Sequence, residues 1–203
     1  MRRLWSGFHI YLLGVIILTL GIALTIQSAL GTSPFDALLV GLYRTFGLTI
    51  GSWEIVVGGT LIVANAILEK RRPEFLAFVT SLVTGIGIDS WLFVIDGWLI
   101  PGTWIGKFIC LIVGIFFTAL GVAIYLQSEI APNPLDRTML VIDQLTGWGI
   151  TYARALINII LVIAAFLFSG AIGIGTLINA LFSGMAIQYL LKYIKFSTKA
   201  TAE

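Results

Sequence analysis

The sequence predicts an all-α polytopic membrane protein built from two inverted repeats, each of three transmembrane helices and one short re-entrant half-helix. Three observations carry that prediction. First, the 203 residues are 59% hydrophobic and 11% charged, whereas soluble domains are about 25% charged. Second, the chain repeats itself: Gly14, Leu20, Gly21, Ala23, Gln27, Ser28, Pro34, Asp36 and Gly47 recur one hundred residues later as Gly114, Leu120, Gly121, Ala123, Gln127, Ser128, Pro134, Asp136 and Gly147. Third, the basic residues gather on one side of a membrane only if the shortest hydrophobic segments do not cross it.

The first element is the uncharged run from Phe8 to Ile26, close to the roughly 20 apolar residues that a hydrocarbon core requires. Arg2 and Arg3 ahead of it suggest a signal peptide. Its repeat partner, Phe108 to Leu126, is internal, so the run reads as a retained helix. Pro34 to Gly47 (PFDALLVGLYRTFG) follows. It is about 14 residues, or about 21 Å as helix, against a core of about 30 Å, and is too short to cross upright. Ser33 in the N-cap place, Pro34 at N1, Asp36 at N3 and Gly47 at the end are helix start and stop signals. Ile55 to Leu68 spans if its start extends back through Glu54, and Phe75 to Ile100 completes the first repeat. The second repeat runs through Phe108 to Leu126, the half-helix Pro134 to Gly147 (PLDRTMLVIDQLTG) opened by Asn133, Ala155 to Phe168 extended back through Arg154, and Ile172 to Leu191. From Thr80 onward the offset shortens by one, matching Gly85 with Gly184 and Asp89 with Gln188. The repeats therefore occupy 1–100 and 101–196, with a polar tail at 197–203.

If the half-helices turn back, Arg2, Arg3, the Lys70-Arg71-Arg72 loop, Lys192, Lys195 and Lys199 share one side. If they cross, the basic loop lands opposite the N-terminus. The first arrangement has three spans per repeat, an odd number, which inverts one half relative to the other. Both termini are then cytoplasmic. Trp5, Trp53, Trp98 and Trp104 fall near span ends, as interfacial anchors do.

Asp36 and Asp136 are the leading candidates for chemistry, since a carboxylate at membrane depth is costly and usually faces a cavity or a partner. The competing reading is that, with Ser33 and Asn133, they merely cap helix N-termini. Arg137 makes the second helix start more cationic than the first. Gln27, Gln127 and the intramembrane Asp89 complete the candidate binding set. Glu54 and Arg154 occupy equivalent repeat positions and form an ion pair if both lie near the pseudo-two-fold axis; otherwise they snorkel to opposite interfaces. His9 and the single Cys110 belong to no catalytic constellation, and no cluster has metal-ligand spacing. The sequence is thus expected to be no enzyme and to carry neither cofactor nor metal. A net charge of +2 without a basic cluster gives nucleic acid no footprint. The expected partners are the lipid bilayer and an unidentified small solute or ion, with a homo-oligomer left open.

Leu30-Gly31-Thr32-Ser33-Pro34-Phe35-Asp36, answered by Ile130-Ala131-Pro132-Asn133-Pro134-Leu135-Asp136, resembles the duplicated Pro-x-Asp signature of the bacterial YczE/YyaS/YitT membrane proteins. Length, and Gln-Ser followed by Pro-x-Asp, are most similar to the YczE branch. The resemblance implies a multi-pass protein of the bacterial cytoplasmic membrane with suggested roles in transport or in supporting secondary-metabolite production. The Asn133-Pro134-Leu135 start is also similar to the Asn-Pro-Ala half-helices of aquaporins, as an architectural analogy. The expected function is a small transporter or channel-like permease with a midplane site at two half-helix N-termini. The alternative is a non-transporting accessory protein that supports a biosynthetic or other membrane component.

Overall fold

The computed structural model describes residues 2–128 and 133–194, with side chains from Gly7 onward. The polar tail at 197–203 and Ile130 to Pro132 of the duplicated motif lie outside the described residues. The elements are α1 (Arg2–Gln27), α2 (Pro34–Phe46), α3 (Ile50–Glu69), α4 (Phe75–Ile95), α5 (Trp104–Tyr125), a 3-10 turn (Leu126–Ser128), α6 (Pro134–Thr146), α7 (Ile150–Leu167) and α8 (Ile174–Tyr193). Six of these, α1, α3, α4, α5, α7 and α8, are long and apolar enough to cross a membrane. The other two, α2 and α6, have 13 residues each, about 20 Å of helix.

The local signals act as expected. The Ser33 side chain accepts from the Asp36 amide and that of Asn133 from the Leu135 amide, satisfying donors that a helix start leaves orphaned. Gly47 and Gly147, at φ of 78° and 68°, close the two short helices in a conformation that side chains disfavour. α4 stops at Ile95 instead of Ile100, because the backbone turns extended at Asp96 and then left-handed at Gly97. α3 and α7 begin at Ile50 and Ile150, which places Glu54 and Arg154 near the starts of their helices.

The centre of the molecule is the antiparallel pair α1 and α5. Gly14 lies against Gly121 and Tyr125, and Gly21 against Gly114 and Thr118, so closely that a Cβ at any of these four glycines would overlap backbone of the facing helix. Small residues permit this approach, and dispersion between close backbones holds such pairs together in lipid. The contacts are reciprocal at the repeat offset: Gly14 meets Gly121 while Gly114 meets Gly21.

Each short helix packs across onto the other half, α2 on α7 and α6 on α3. Pro34 and Asn158 share a cleft, and Pro134 lies beside Gly58 and Asn65. The far end of α2 reaches the end of α7, where Arg44 Nη1 donates to the Ser169 carbonyl at 2.9 Å and Thr45 Oγ1 to the Phe168 carbonyl at 3.0 Å. α2 therefore starts beside the middle of α7 and finishes at its end.

One pair breaks the correspondence. α3 packs tightly on α4, whereas α7 and α8 barely touch. Gly51 faces Gly85 and Gly58 faces Ser81, each without room for a Cβ. Their counterparts on α7 are Thr151 and Asn158, which carry side chains where α3 has glycine. Arg154 fills part of the gap, with Nη1 against Gly184, where the equivalent Gly85 meets backbone of α3. An apolar cleft of about 300 Å³, bordered by Asn158, Val162, Thr176 and Ala180, leads between α7 and α8 to Pro34.

Candidate functional site

Asp36 and Glu54 are both buried, at 6% and 2% exposure, and are electrostatic neighbours. The half-helix start positions Asp36: Ser33 Oγ accepts from the Asp36 amide at 3.1 Å and donates to Asp36 Oδ2 at 2.5 Å. Thr32 stands beside it, its hydroxyl 2.7 Å from that of Thr25. The loop before α2 is anchored by Thr32 N–H donating to the Ala171 carbonyl and Gly175 N–H donating to the Leu30 carbonyl. Glu54 has no hydrogen bond or ion pair among the described residues.

The equivalent place in the second half has different chemistry. Asp136 is half-buried. Tyr125 Oη donates to its Oδ2 at 3.4 Å, and Arg154 is its electrostatic neighbour. Tyr11, on α1, stands next to Tyr125. One half thus presents acid with acid, and the other acid with phenol and guanidinium.

Asp36 and Asp136 each head a short helix, as expected, with Ser33 and Asn133 as their caps. The remaining candidates are engaged elsewhere. Gln27 Nε2 donates to the Leu99 carbonyl at 2.7 Å and Gln127 Nε2 to the Ile194 carbonyl at 2.8 Å, so these glutamines tie α1 to the segment after α4 and α5 to the end of α8. Asp89 accepts from Thr49 Oγ1 at 2.6 Å and from the Gly51 amide at 2.8 Å, and so caps α3 from α4. Arg137 does not project a free positive charge at the half-helix start. Its Nη2 donates to both Glu69 oxygens, at 2.8 and 3.0 Å, and lies 3.5 Å from Glu74.

The expected Glu54–Arg154 ion pair is also corrected. The ion pairs among the described residues are those of Arg137. The residues that meet across the two repeats are the α1 and α5 glycines, while Glu54 is an electrostatic neighbour of Asp36 and Arg154 of Asp136, each within its own half. The sequence reading missed Tyr11 and Tyr125. Their signal was a phenol within an apolar run, which reads as packing until its neighbour is known.

Several enclosed polar atoms have no hydrogen-bond partner among the described residues: Tyr11 Oη, Asn65 Oδ1, the hydroxyls of Ser81, Thr84 and Thr118, and Arg137 Nε. Tyr11, Ser81, Thr84 and Thr118 lie on α1, α4 and α5, so these polar atoms stand inside an otherwise apolar bundle. Native proteins leave few such groups unmatched, and each calls for a polar partner. Among the described residues no three His, Cys, Asp or Glu side chains gather as a metal site would require.

Six helices long and apolar enough to cross a membrane define a multi-pass helical membrane protein. The chain belongs to the family of unknown function DUF6198, whose model matches residues 5–192. It is 44% identical to the Bacillus subtilis (strain 168) "Uncharacterized protein YyaS" over 185 residues, covering 91% of this chain and 92% of that one. It is 31% identical to the "Uncharacterized membrane protein YczE" of the same organism over 182 residues, covering 89% and 83%. A Haemophilus influenzae (strain ATCC 51907 / DSM 11121 / KW20 / Rd) protein is 27% identical over 197 residues. The resemblance to the YczE/YyaS proteins stands, but identity to YyaS exceeds that to YczE, which corrects the expected placement in the YczE branch. No solved structure matches the chain.

Proposed function

We propose that this protein is a small transporter or channel-like permease of the bacterial cytoplasmic membrane, built from inverted repeats whose re-entrant half-helices, α2 and α6, meet a midplane pathway lined by Asp36 and Asp136. The observation that carries this reading is the set of polar groups enclosed in an apolar bundle: the Asp36 and Glu54 carboxyls, the Tyr11 and Tyr125 phenols and the unmatched hydroxyls of Ser81, Thr84 and Thr118. Such groups are costly in a membrane and usually mark a path or a site. The reciprocal approach of Gly14 to Gly121 and Gly114 to Gly21, and of α2 to α7 and α6 to α3, supports the inverted arrangement. Both termini are then cytoplasmic. The closed α3–α4 pair and the open α7–α8 pair are the two conformations that one repeat unit adopts, and alternating access follows when the halves exchange them.

A thermal-shift screen of inorganic ions and small metabolites, followed by uptake of each hit into proteoliposomes, tests the proposal. Uptake that saturates and is lost in Asp36→Asn or Asp136→Asn, with the variant still inserted and monodisperse, is the expected result. No uptake of any hit, together with a stoichiometric co-purifying membrane component, would replace transport with the accessory role.

A further inference from the structure

We propose that the cavity between α3, the start of α4 and the start of α6 is a binding site for one ordered water molecule, which accepts a hydrogen bond from Arg137 Nε and donates one to Asn65 Oδ1. The inference goes beyond the transport reading and does not depend on it. The first observation is the cavity itself, bordered by Asn65 and Glu69 on α3, Glu74 and Ala77 at the start of α4, and Pro134 and Arg137 at the start of α6. About 20 Å³ of it is open to the centre of a water molecule, which is room for one and little more. The second observation is that Asn65 Oδ1 and Arg137 Nε, enclosed atoms of two residues that border this cavity, have no hydrogen-bond partner among the described residues. Asn65 is 4% exposed, and a buried polar atom left unmatched is costly.

Both side chains are fixed by their other atoms. Asn65 Nδ2 donates to the Pro134 carbonyl at 3.3 Å and to Thr138 Oγ1 at 3.0 Å, while Arg137 Nη2 donates to both Glu69 oxygens and stands 3.5 Å from Glu74. The Pro134 carbonyl can only accept, so the Asn65 amide cannot be turned round and its Oδ1 needs a donor elsewhere. Arg137 Nε, by contrast, can only donate. The occupant must therefore accept on one side and donate on the other. A cation would meet the Arg137 guanidinium, and an anion would meet Asn65 Oδ1 and the carboxylates of Glu69 and Glu74. Water satisfies both atoms, and its second hydrogen has a carboxylate of the same cavity to go to, which makes the three hydrogen bonds usual for a buried water. A water held there joins the start of α6, the helix that carries Asp136, to α3 and α4.

A crystal structure of the full chain grown from a lipid phase, at a resolution that reveals other buried waters, tests the site without any variant. The expected result is one isolated peak of density within hydrogen-bond distance of both Arg137 Nε and Asn65 Oδ1. No peak there, or density continuous with a side chain, overturns the proposal. Substitution at Ala77, which borders the cavity, tests it in solution through unfolding by a denaturing detergent. Ala77→Ser brings a hydroxyl that can donate and accept in place of the water, so it should keep the wild-type stability and lose the peak. Ala77→Val fills the same space with carbon, leaves both polar atoms unmatched and should lower the folding equilibrium constant about tenfold or more. In an Asn65→Leu background the acceptor is gone, and the difference between serine and valine should shrink severalfold. A difference that Asn65→Leu leaves unchanged is steric and overturns the bridging water, as does a valine variant as stable as the serine one.

Discussion

Alanine substitution at the α1–α5 seam separates an antiparallel, reciprocal pairing from every other arrangement of the two repeats. A Cβ on Gly21 would overlap the Thr118 backbone nitrogen, and one on Gly114 the Thr25 nitrogen. The obstructing atoms are backbone, so the helices themselves must move apart. Overpacking of this kind costs about 1–3 kcal/mol, here at the upper end, while replacing glycine by alanine within a helix returns about 1 kcal/mol. Each single variant should therefore lose about 2 kcal/mol, roughly thirtyfold in the unfolding equilibrium. Gly21 and Gly114 share one crossing, so the second alanine enters space opened by the first, and the double variant should lose about 1 kcal/mol less than the sum. Gly14 and Gly114 are equivalent in sequence but sit at different crossings, separated by seven residues or about 10 Å of helix, and their losses should add. Unfolding by a denaturing detergent, followed by helical circular dichroism, measures both cycles. Additivity for Gly21 with Gly114 and coupling for Gly14 with Gly114 would refute the reciprocal seam.

Further outcomes follow from the same geometry. In a Cys110→Ser background, Asn158→Cys with Ala180→Cys should cross-link in membranes only as α7 closes on α8; a pair that never links, whatever solute is added, means a static gap. Asp89→Ala removes the acceptor for Thr49 Oγ1 and the Gly51 amide and should cost about 2–3 kcal/mol of stability. Proteoliposome uptake by the surviving folded fraction should be unchanged, since Asp89 is a cap; a transport defect without destabilisation would contradict that. Reporter fusions at the N-terminus, after Arg71 and at the C-terminus should all read cytoplasmic, and a fusion after Arg71 on the opposite side removes the odd number of spans.

What the sequence revealed divides by the range of the interaction. Ser33-Pro34-x-Asp36 and Asn133-Pro134-x-Asp136 were legible because a helix start is decided within four residues, and both short helices begin there. The six spans were legible because hydrocarbon thickness fixes their length. Partner choice was not. Glu54 and Arg154 invited pairing because the repeat makes them equivalent, yet equivalence does not bring residues together, and those that meet across the repeats are the α1 and α5 glycines. Arg137, Asp89, Gln27 and Gln127 resembled site residues for the same reason: a polar side chain in an apolar run looks unattached until the helix end or acid that holds it is known. The replacement of Gly51 and Gly58 by Thr151 and Asn158 was visible from the start, but its meaning lay in the α3–α4 contact that those glycines allow.

That replacement links the shape of the molecule to its charges. On the closed side, where α3 and α4 touch, stands Glu54 with only Asp36 for electrostatic company. On the open side Arg154 lies half-exposed in the gap, its guanidinium against Gly184 and within reach of Asp136. Under the proposed exchange of conformations, closing α7 on α8 squeezes Arg154 from the space it holds open. A guanidinium losing water there requires a carboxylate, and Asp136 is the neighbouring one. Opening α3 from α4 would in turn uncover Glu54. Arg154→Gln removes the positive charge and keeps a long polar side chain, and Arg154→Ala also empties the gap. If Arg154 holds the gap open by its bulk, Arg154→Ala should raise cross-linking between cysteines at 158 and 180, and Arg154→Gln should raise it less. Equal cross-linking with Arg154 present and in both variants would show that Arg154 does not hold the helices apart and that its charge has no part in the gate.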